Sequence, residues 1–175
     1  IMTATTASDV CGVEYYFANV TDFTHDSSWQ DSPIYEDAGL DDLTQYTYKV
    51  KARDKSTNNN ETGYSPQESM TTQDTTSPAP ESTTFESVPA ISSPNSIIMT
   101  ATTASDVCGV EYYFANVTDS NHDSDWQDSA TYDDTALDDL TQYSYKVKAR
   151  DKSTNQNETE YSPQESVATG DSTAP

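Results

Sequence analysis

The chain repeats itself: residues 1–78 recur almost unchanged at residues 98–175, an offset of 97 positions. Roughly four positions in five are identical between the two copies. A period near 100 residues is too long for a solenoid repeat and matches the size of one small β-sandwich domain. The sequence therefore predicts a tandem array of near-identical domains. Because a catalytic centre seldom needs to be copied, the array favours a spacer or a multivalent binder.

The segment 74–97 occurs once, between the copies, and opens with DTTSPAP. In the second copy Thr83–Val88 is a candidate opening strand, and the first copy has no counterpart within this chain. The first domain is therefore expected to lack its first strand and to present an open sheet edge, which invites pairing with another chain. The pattern indicates an excerpt of a longer array, with these segments: domain 1 over 1–73, a proline-containing linker over 74–82, domain 2 over 83–171 and the start of a further linker over 172–175.

The composition is strongly acidic, with 30 acidic residues against eight basic ones and a net charge of −22. Such a charge opposes association with nucleic acid and with anionic membrane surfaces. No apolar run approaches the roughly 18–20 residues that a membrane helix needs, so membrane insertion is not expected. An acidic, polar, repetitive chain of this kind is typical of extracellular or cell-surface proteins.

Apolar and polar residues alternate with a period of two, which predicts strands and leaves no competing helical pattern. The second copy offers seven candidates: Thr83–Val88, Ile97–Thr102, Val110–Val117, Ser124–Asp128, Thr131–Thr135, Tyr143–Arg150 and Tyr161–Thr169. The fold class is all-β, with two immunoglobulin-like sandwiches of about seven strands each. The shared face of the pattern predicts this core in the first copy: Val13, Tyr15, Phe17, Leu40, Tyr46, Tyr48 and Val50.

The stretch Leu40–Ala52, LDDLTQYTYKVKA, and its copy at Leu137–Ala149 resemble the E–F region of fibronectin type III domains. The resemblance covers each whole repeat and implies fibronectin type III-like domains in tandem. It also implies that Tyr46 and Tyr143 are tyrosine-corner residues, with the hydroxyl bonded to nearby backbone. The linker resembles joints in bacterial surface proteins and polysaccharide-degrading enzymes. The sequence departs from the fibronectin type III pattern in two respects: the usual tryptophan of the second strand is missing, and there is no Arg-Gly-Asp motif.

All positive charge lies on one strand and its following turn in each copy. Two interpretations are open. The face is either solvated and neutralised by neighbouring carboxylates such as Glu14 and Glu68, or it is a docking stripe for an acidic polymer or for the acidic edge of another array. The residues are Lys49, Lys51, Arg53 and Lys55, with the copies Lys146, Lys148, Arg150 and Lys152.

Acidic clusters raise the possibility of calcium, which takes six to eight oxygen ligands. The favoured site joins Asp74 of the linker to Asp9 and Asp54 near the domain ends, and plain solubility charge is the alternative. Other acidic positions, none with the spacing of an EF-hand loop, are Asp22, Asp26, Asp31, their copies Asp119, Asp123 and Asp128, and the pair Asp41 and Asp42. No other cofactor is indicated. His25 and His122 lie in polar loops and are interpreted as surface residues.

Each copy contains one cysteine and two glycosylation sequons. Cys11 and Cys108 occupy equivalent places in successive domains, which is too far for a disulfide between them. They are either small buried apolar residues or cross-links to another chain. The sequons, which matter if the source glycosylates them, are at Asn19, Asn60, Asn116 and Asn157.

No Ser/His/Asp set, Cys/His pair, glycine-rich phosphate loop or histidine cluster indicates an enzyme. The favoured function is a structural repeat module of an extracellular array, such as a stalk, spacer or filament body, whose partners are other copies of the chain or adjacent repeats. The alternative is a carbohydrate-binding accessory module of a secreted polysaccharide-degrading enzyme or adhesin. Its sugar-stacking residues would be Tyr16, Trp29, Tyr113 and Trp126, so burial of the tryptophans discriminates between the two functions.

Overall fold

The computed structural model describes residues 1–172 and divides the chain into two compact units, Ile1–Gln73 and Asp74–Pro175. All but the first residue of the expected further linker at 172–175 lies outside the described residues. Strands account for nearly all regular structure, and each unit adds one short 3-10 turn, at Phe23–His25 and at Ser120–His122. Within residues 1–172, no helix is long and apolar enough to cross a lipid bilayer.

The first unit contains five antiparallel strands in two sheets. One sheet pairs β1 with β3, and the other has the order β2-β4-β5. Alternating apolar residues place Tyr15 and Phe17 of β2 in the interior, where they are 4% and 2% exposed. The strands are β1 Met2–Thr3, β2 Val13–Asn19, β3 Ile34–Tyr35, β4 Gln45–Asp54 and β5 Glu68–Thr71.

The second unit is a more complete sandwich of six strands in two three-stranded sheets, β6-β7-β9 and β11-β10-β8. Its core joins Ile97 and Met99 of one sheet to Phe114, Tyr145 and Val147 of the other, and each is at most 1% exposed. The strands are β6 Phe85–Ser93, β7 Ser96–Ala101, β8 Val110–Asn116, β9 Thr131–Asp134, β10 Gln142–Asp151 and β11 Glu165–Ala168.

The first unit has no counterpart of β6 among residues 1–73. In the second unit β6 pairs with β7 and also contacts β11. The first unit instead has a cavity of about 440 Å³ lined by Leu40, Tyr48 and Met70 among others. Leu40 and Tyr48 were predicted core residues, and they are only half-buried because nothing in the described part of this unit covers them.

Residues 74–82, predicted to be a linker, belong to the second unit. Ala79 forms an antiparallel bridge with Ser105, with N–O distances of 3.0 and 2.9 Å in the two directions. The Glu160 amide donates to the Glu81 carbonyl at 3.0 Å, and Pro78 is fully buried. The segment is therefore anchored by backbone pairing.

Three predicted strands differ clearly from those observed. The last, predicted over Tyr161–Thr169, runs only over Glu165–Ala168. The opening strand runs through Pro89 to Ser93, and its pairing with β7 shifts register on either side of Ser87. Proline has no amide hydrogen, so the ladder accommodates it only with such an irregularity. The predicted strand Ser124–Asp128 is reduced to a single bridge between Tyr112 and Gln127. The second unit therefore has six strands, and a bridge stands in place of the predicted strand Ser124–Asp128.

Candidate functional site

The outer sheet face of each unit carries alternating rings and cations, here called the aromatic–basic ladder. The pairing of β2 with β4 sets Tyr16 opposite Lys51, and the Tyr16 and Trp29 ring centres lie 5.4 Å apart. The Arg53 guanidinium lies 4.2 Å from the centre of the Trp29 ring. The ladder comprises Tyr16, Trp29, Lys51, Arg53 and Tyr64 in the first unit and Tyr113, Trp126, Lys148, Arg150 and Tyr161 in the second.

The second unit reproduces this arrangement closely. Tyr113 and Trp126 have ring centres 5.3 Å apart, and the Arg150 guanidinium lies 4.1 Å from the Trp126 centre. The Lys148 ammonium lies 4.9 Å from the centre of the Tyr161 ring. Each such cation–ring contact contributes about 0.5–1 kcal/mol at an exposed site. The ladder is therefore a structural feature that both units share.

Six of the eight basic side chains form ion pairs within their own unit. The partners are Glu14, Glu61 and Asp31 with their copies, and none of the six pairs with the predicted Glu68. Exposed pairs contribute only about 0–1 kcal/mol each, so their main effect is to neutralise the face. The pairs are Lys51–Glu61, Arg53–Glu14, Lys55–Asp31, Lys148–Glu158, Arg150–Glu111 and Lys152–Asp128.

The aromatic side chains of the ladder already contact other groups of the protein. Trp29 and Trp126 are half-buried, with a guanidinium over one ring face. The Tyr113 hydroxyl donates to Asp123 Oδ2 at 2.6 Å, and this hydrogen bond raises the pKa of Tyr113 to about 12. On that face, a sugar ring would have to displace the protein's own guanidinium in order to stack on either tryptophan. This geometry supports a structural use of the face.

A buried aspartate lies at the centre of a polar network in the second unit. Asp134 is 2% exposed, and its Oδ2 accepts hydrogen bonds from Tyr145 Oη at 2.8 Å and Asn116 Nδ2 at 3.1 Å. Its Oδ1 lies 2.7 Å from His122 Nδ1. Burial, followed by the hydrogen bond to this carboxylate, raises the pKa of Tyr145. The network supplies the partners that a buried carboxylate requires.

The first unit repeats the network around Asp37. His25 Nδ1 lies 2.7 Å from Asp37 Oδ1, Tyr48 Oη donates to Asp37 Oδ2 at 2.7 Å, and Asn19 Nδ2 donates to Tyr48 Oη at 3.1 Å. The interpretation of the histidines as ordinary surface residues was therefore wrong, since each binds a buried carboxylate. The available signal was a histidine and an aspartate twelve residues apart in both copies.

The network predicts a pH dependence for the first unit. Its hydrogen bond to Asp37, followed by the nearby charges, raises the pKa of His25 above its ordinary 6.5. Protonation of His25 therefore stabilises the folded unit. That contribution is fully present below pH 6.5 and is lost as the pH rises through the raised folded-state value.

This pH dependence is measurable because the chain has only two histidines and two tryptophans. We expect an NMR titration, with the His25 signal assigned by its loss in His25→Gln, to give a pKa above 6.5. In a Trp126→Phe background, Trp29 fluorescence follows urea unfolding of the first unit, and the histidine-dependent stabilisation should be absent from His25→Gln. A His25 pKa at or below 6.5 contradicts the prediction.

Two predicted glycosylation sites are inaccessible in the folded units. Asn19 and Asn116 are 3% and 2% exposed, and their amide nitrogens are bound within the polar networks. Attaching a glycan there would require opening the fold, which corrects the sequence-based prediction. Asn60 is exposed and Asn157 is half-buried, and each amide nitrogen donates to an aspartate, Asp54 or Asp151.

Both predicted corner tyrosines are buried and bonded to backbone. The Asp41 amide donates to Tyr46 Oη at 3.0 Å, and the Asp138 amide donates to Tyr143 Oη at 3.1 Å. Each bond spans five residues and closes the loop that precedes β4 or β10. The corner therefore fixes where the long strand of each unit begins.

Most of the predicted acidic ligands are occupied by local hydrogen bonds. Asp54 accepts from the Ser56 and Asn60 amides and from the Asn60 side chain, and these bonds lower its pKa, Asn60 most strongly. Asp22 caps the 3-10 turn, Asp26 accepts from the Asn19 amide, and Asp31 pairs with a lysine. These carboxylates therefore stabilise turns and form ion pairs.

Asp74 lies in the second unit, and its group contains neither of its predicted partners, Asp9 and Asp54. It forms a group with Asp106, the copy of Asp9, and with Cys108, and their ligand atoms lie within 4.8 Å of one another. The backbone hydrogen bond from Thr76, with a smaller effect from the Cys108 thiol, lowers the pKa of Asp74, although burial acts in the opposite direction. The Asp74 carboxylate in turn raises the pKa of the Cys108 thiol. Cys11 is exposed, Cys108 is half-buried, and neither forms a disulfide among the described residues.

Comparison with known proteins bears on the fold. No family model matches the chain, and no curated protein matches it. Among solved structures, the crystal structure of the chicken CNTN1 FN1–FN3 domains is similar, with a TM-score of 0.50 and 16% sequence identity. The match covers 91% of this chain and 55% of that one, so this chain spans little more than half of its length. The likeness confirms a fibronectin type III-like β-sandwich fold.

Proposed function

We propose that the chain is a structural repeat module of an extracellular tandem-array protein, working as a stalk, spacer or filament body. The observation that carries the proposal is the aromatic–basic ladder, which both units fill with their own cations. A binding face would leave its tryptophans open to a ligand, whereas Arg53 and Arg150 stack on Trp29 and Trp126 at 4.2 and 4.1 Å. The partners of such a module are neighbouring repeats and other copies of the chain.

Two further features support this function. Residues 74–82, which follow the first unit, are held to the second unit by the backbone bridge between Ala79 and Ser105. The net charge of −22 makes copies repel one another over a screening length of about 8–10 Å, which opposes side-by-side packing. Near-identical units joined in this way build length by repetition.

Small-angle scattering on chains of two, four and six repeats tests the proposal. We expect the maximum dimension to increase by one domain length per repeat, roughly 30–40 Å for a sandwich of about 100 residues. A matched series in which residues 74–80 are replaced by glycine and serine should show a broader distance distribution, because that backbone is flexible. A maximum dimension that hardly grows with repeat number contradicts the proposal.

A further inference from the structure

We propose that Asp74, Asp106 and Cys108 of the second unit form a binding site for one divalent cation of the zinc type. Their carboxylate and thiol ligand atoms lie within 4.8 Å of one another. Among residues 1–172, these three form the one group of three or more His, Cys, Asp or Glu side chains that comes this close. Neither the ladder nor the buried aspartate networks use these side chains.

The unpartnered oxygen of Asp74 is the observation that points to a ligand. Asp74 is 3% exposed, and its Oδ1 accepts from the Thr76 amide at 3.1 Å and the Thr76 hydroxyl at 3.0 Å. Its Oδ2 is buried and has no hydrogen-bond partner in good geometry, although the Cys108 thiol lies close enough to lower the pKa of this carboxyl. Among the described residues, it is the one buried side-chain atom of this kind. A buried polar atom left unpaired costs about 1–3 kcal/mol, so it requires an explanation. A cation between Asp74 and Cys108 removes that cost.

The three side chains are held in place by backbone geometry. Asp106 Oδ1 accepts from the Cys108 amide at 2.7 Å, so these two ligands share one tight turn before β8. The Asp74 carbonyl accepts from Asn155 Nδ2 at 2.5 Å and from Asn157 Nδ2 at 3.2 Å, which fastens the third ligand to the loop after β10. The segments that carry the three ligands are therefore already ordered before an ion binds.

The donor set favours zinc over calcium. A thiolate is a soft ligand that suits zinc, whereas calcium requires six to eight hard oxygen ligands. In a tetrahedral site, metal distances of about 2.0–2.3 Å place ligand atoms about 3.5 Å apart, which small side-chain rotations would reach from the present spacing. Binding releases the thiol proton of Cys108 to solvent, and water completes the coordination. Asp106 also lines an open groove with Thr76 and Ser105.

The first unit provides a matched control within the same chain. Asp9 and Cys11 form the same turn, with the Cys11 amide donating to Asp9 Oδ1 at 2.8 Å. Within residues 1–172, no third acidic, histidine or cysteine side chain joins them in a group of that size. Equivalent substitutions in the two turns therefore separate the three-ligand site from ordinary binding by one thiol and one carboxylate.

Titration of the reduced full chain with Co²⁺, the spectroscopic substitute for zinc, tests the site. We expect one equivalent to bind and to produce the near-ultraviolet sulfur-to-cobalt charge-transfer band. Zinc should abolish that band at one equivalent, and a large excess of calcium should leave it unchanged. Cys11→Ser should keep the band and the affinity. Cys108→Ser should lose the band, and Asp74→Asn should weaken binding at least tenfold.

The same titration gives outcomes that overturn the proposal. Absence of the band in the wild-type chain shows that the Cys108 thiol merely faces the Asp74 carboxylate. Equal losses in Cys11→Ser and Cys108→Ser show binding by exposed thiols in general, and displacement by calcium shows an oxygen site. Far-ultraviolet circular dichroism establishes that each variant is folded. If Asp74→Asn does not fold, Asp106→Asn replaces it with the same expected loss.

Discussion

Replacing Asp134 with alanine is expected to destabilise the second unit by about 3–5 kcal/mol, the cost of breaking a buried charged network. The substitution removes the acceptor of the Tyr145 hydroxyl and the Asn116 amide, and it also removes the partner of the His122 ring. Tyr145 and Asn116 are 0% and 2% exposed, so water cannot replace the lost acceptor without opening the core.

The two tryptophans make this effect measurable one unit at a time. In a Trp29→Phe background, Trp126 fluorescence reports urea unfolding of the second unit alone. Asp125→Ala removes an equal charge from an exposed position and should change the free energy of unfolding by less than about 0.5 kcal/mol. A loss for Asp134→Ala as small as that of Asp125→Ala would show that the network contributes little to stability.

Replacing Leu137 with alanine is expected to cost the second unit about 2–5 kcal/mol, the range for a packed core leucine. Leu137 is 4% exposed and belongs to the main core cluster of that unit. The cost arises from the lost burial of the side chain and from the cavity that remains where the surroundings cannot collapse.

The matched substitution Leu40→Ala should cost clearly less, about 1 kcal/mol, because Leu40 is half-buried and already lines the open cavity of about 440 Å³. Urea unfolding of each variant is monitored by the fluorescence of the tryptophan in the same unit, and the other tryptophan is changed to phenylalanine. Equal losses at Leu40 and Leu137 would mean that the absence of a β6 counterpart does not weaken the first core. A loss below about 0.5 kcal/mol at Leu137 would remove it from the packed core.

The sequence by itself determined the fold class, the tandem order and the inward face of the main strands. Period-2 alternation is a local signal, so Val110–Asn116 and Gln142–Asp151 were predicted to within a residue or two at each end. Local sequence patterns did not predict the end of a strand where that end depends on pairing with another strand. Phe85–Ser93 continues through Pro89 because β7 pairs with it on both sides of the irregularity.

Only the tertiary structure decided which polar residues come together. His122 ends a 3-10 turn and Asp134 ends β9, and no local pattern predicts that the histidine binds a buried carboxylate. Asp74 was assigned to a linker, yet it packs beside Cys108 because the bridge between Ala79 and Ser105 brings the two segments together. Such contacts depend on pairing between distant parts of the chain. Composition and spacing reveal the available chemical groups, and the folded backbone determines which of them meet.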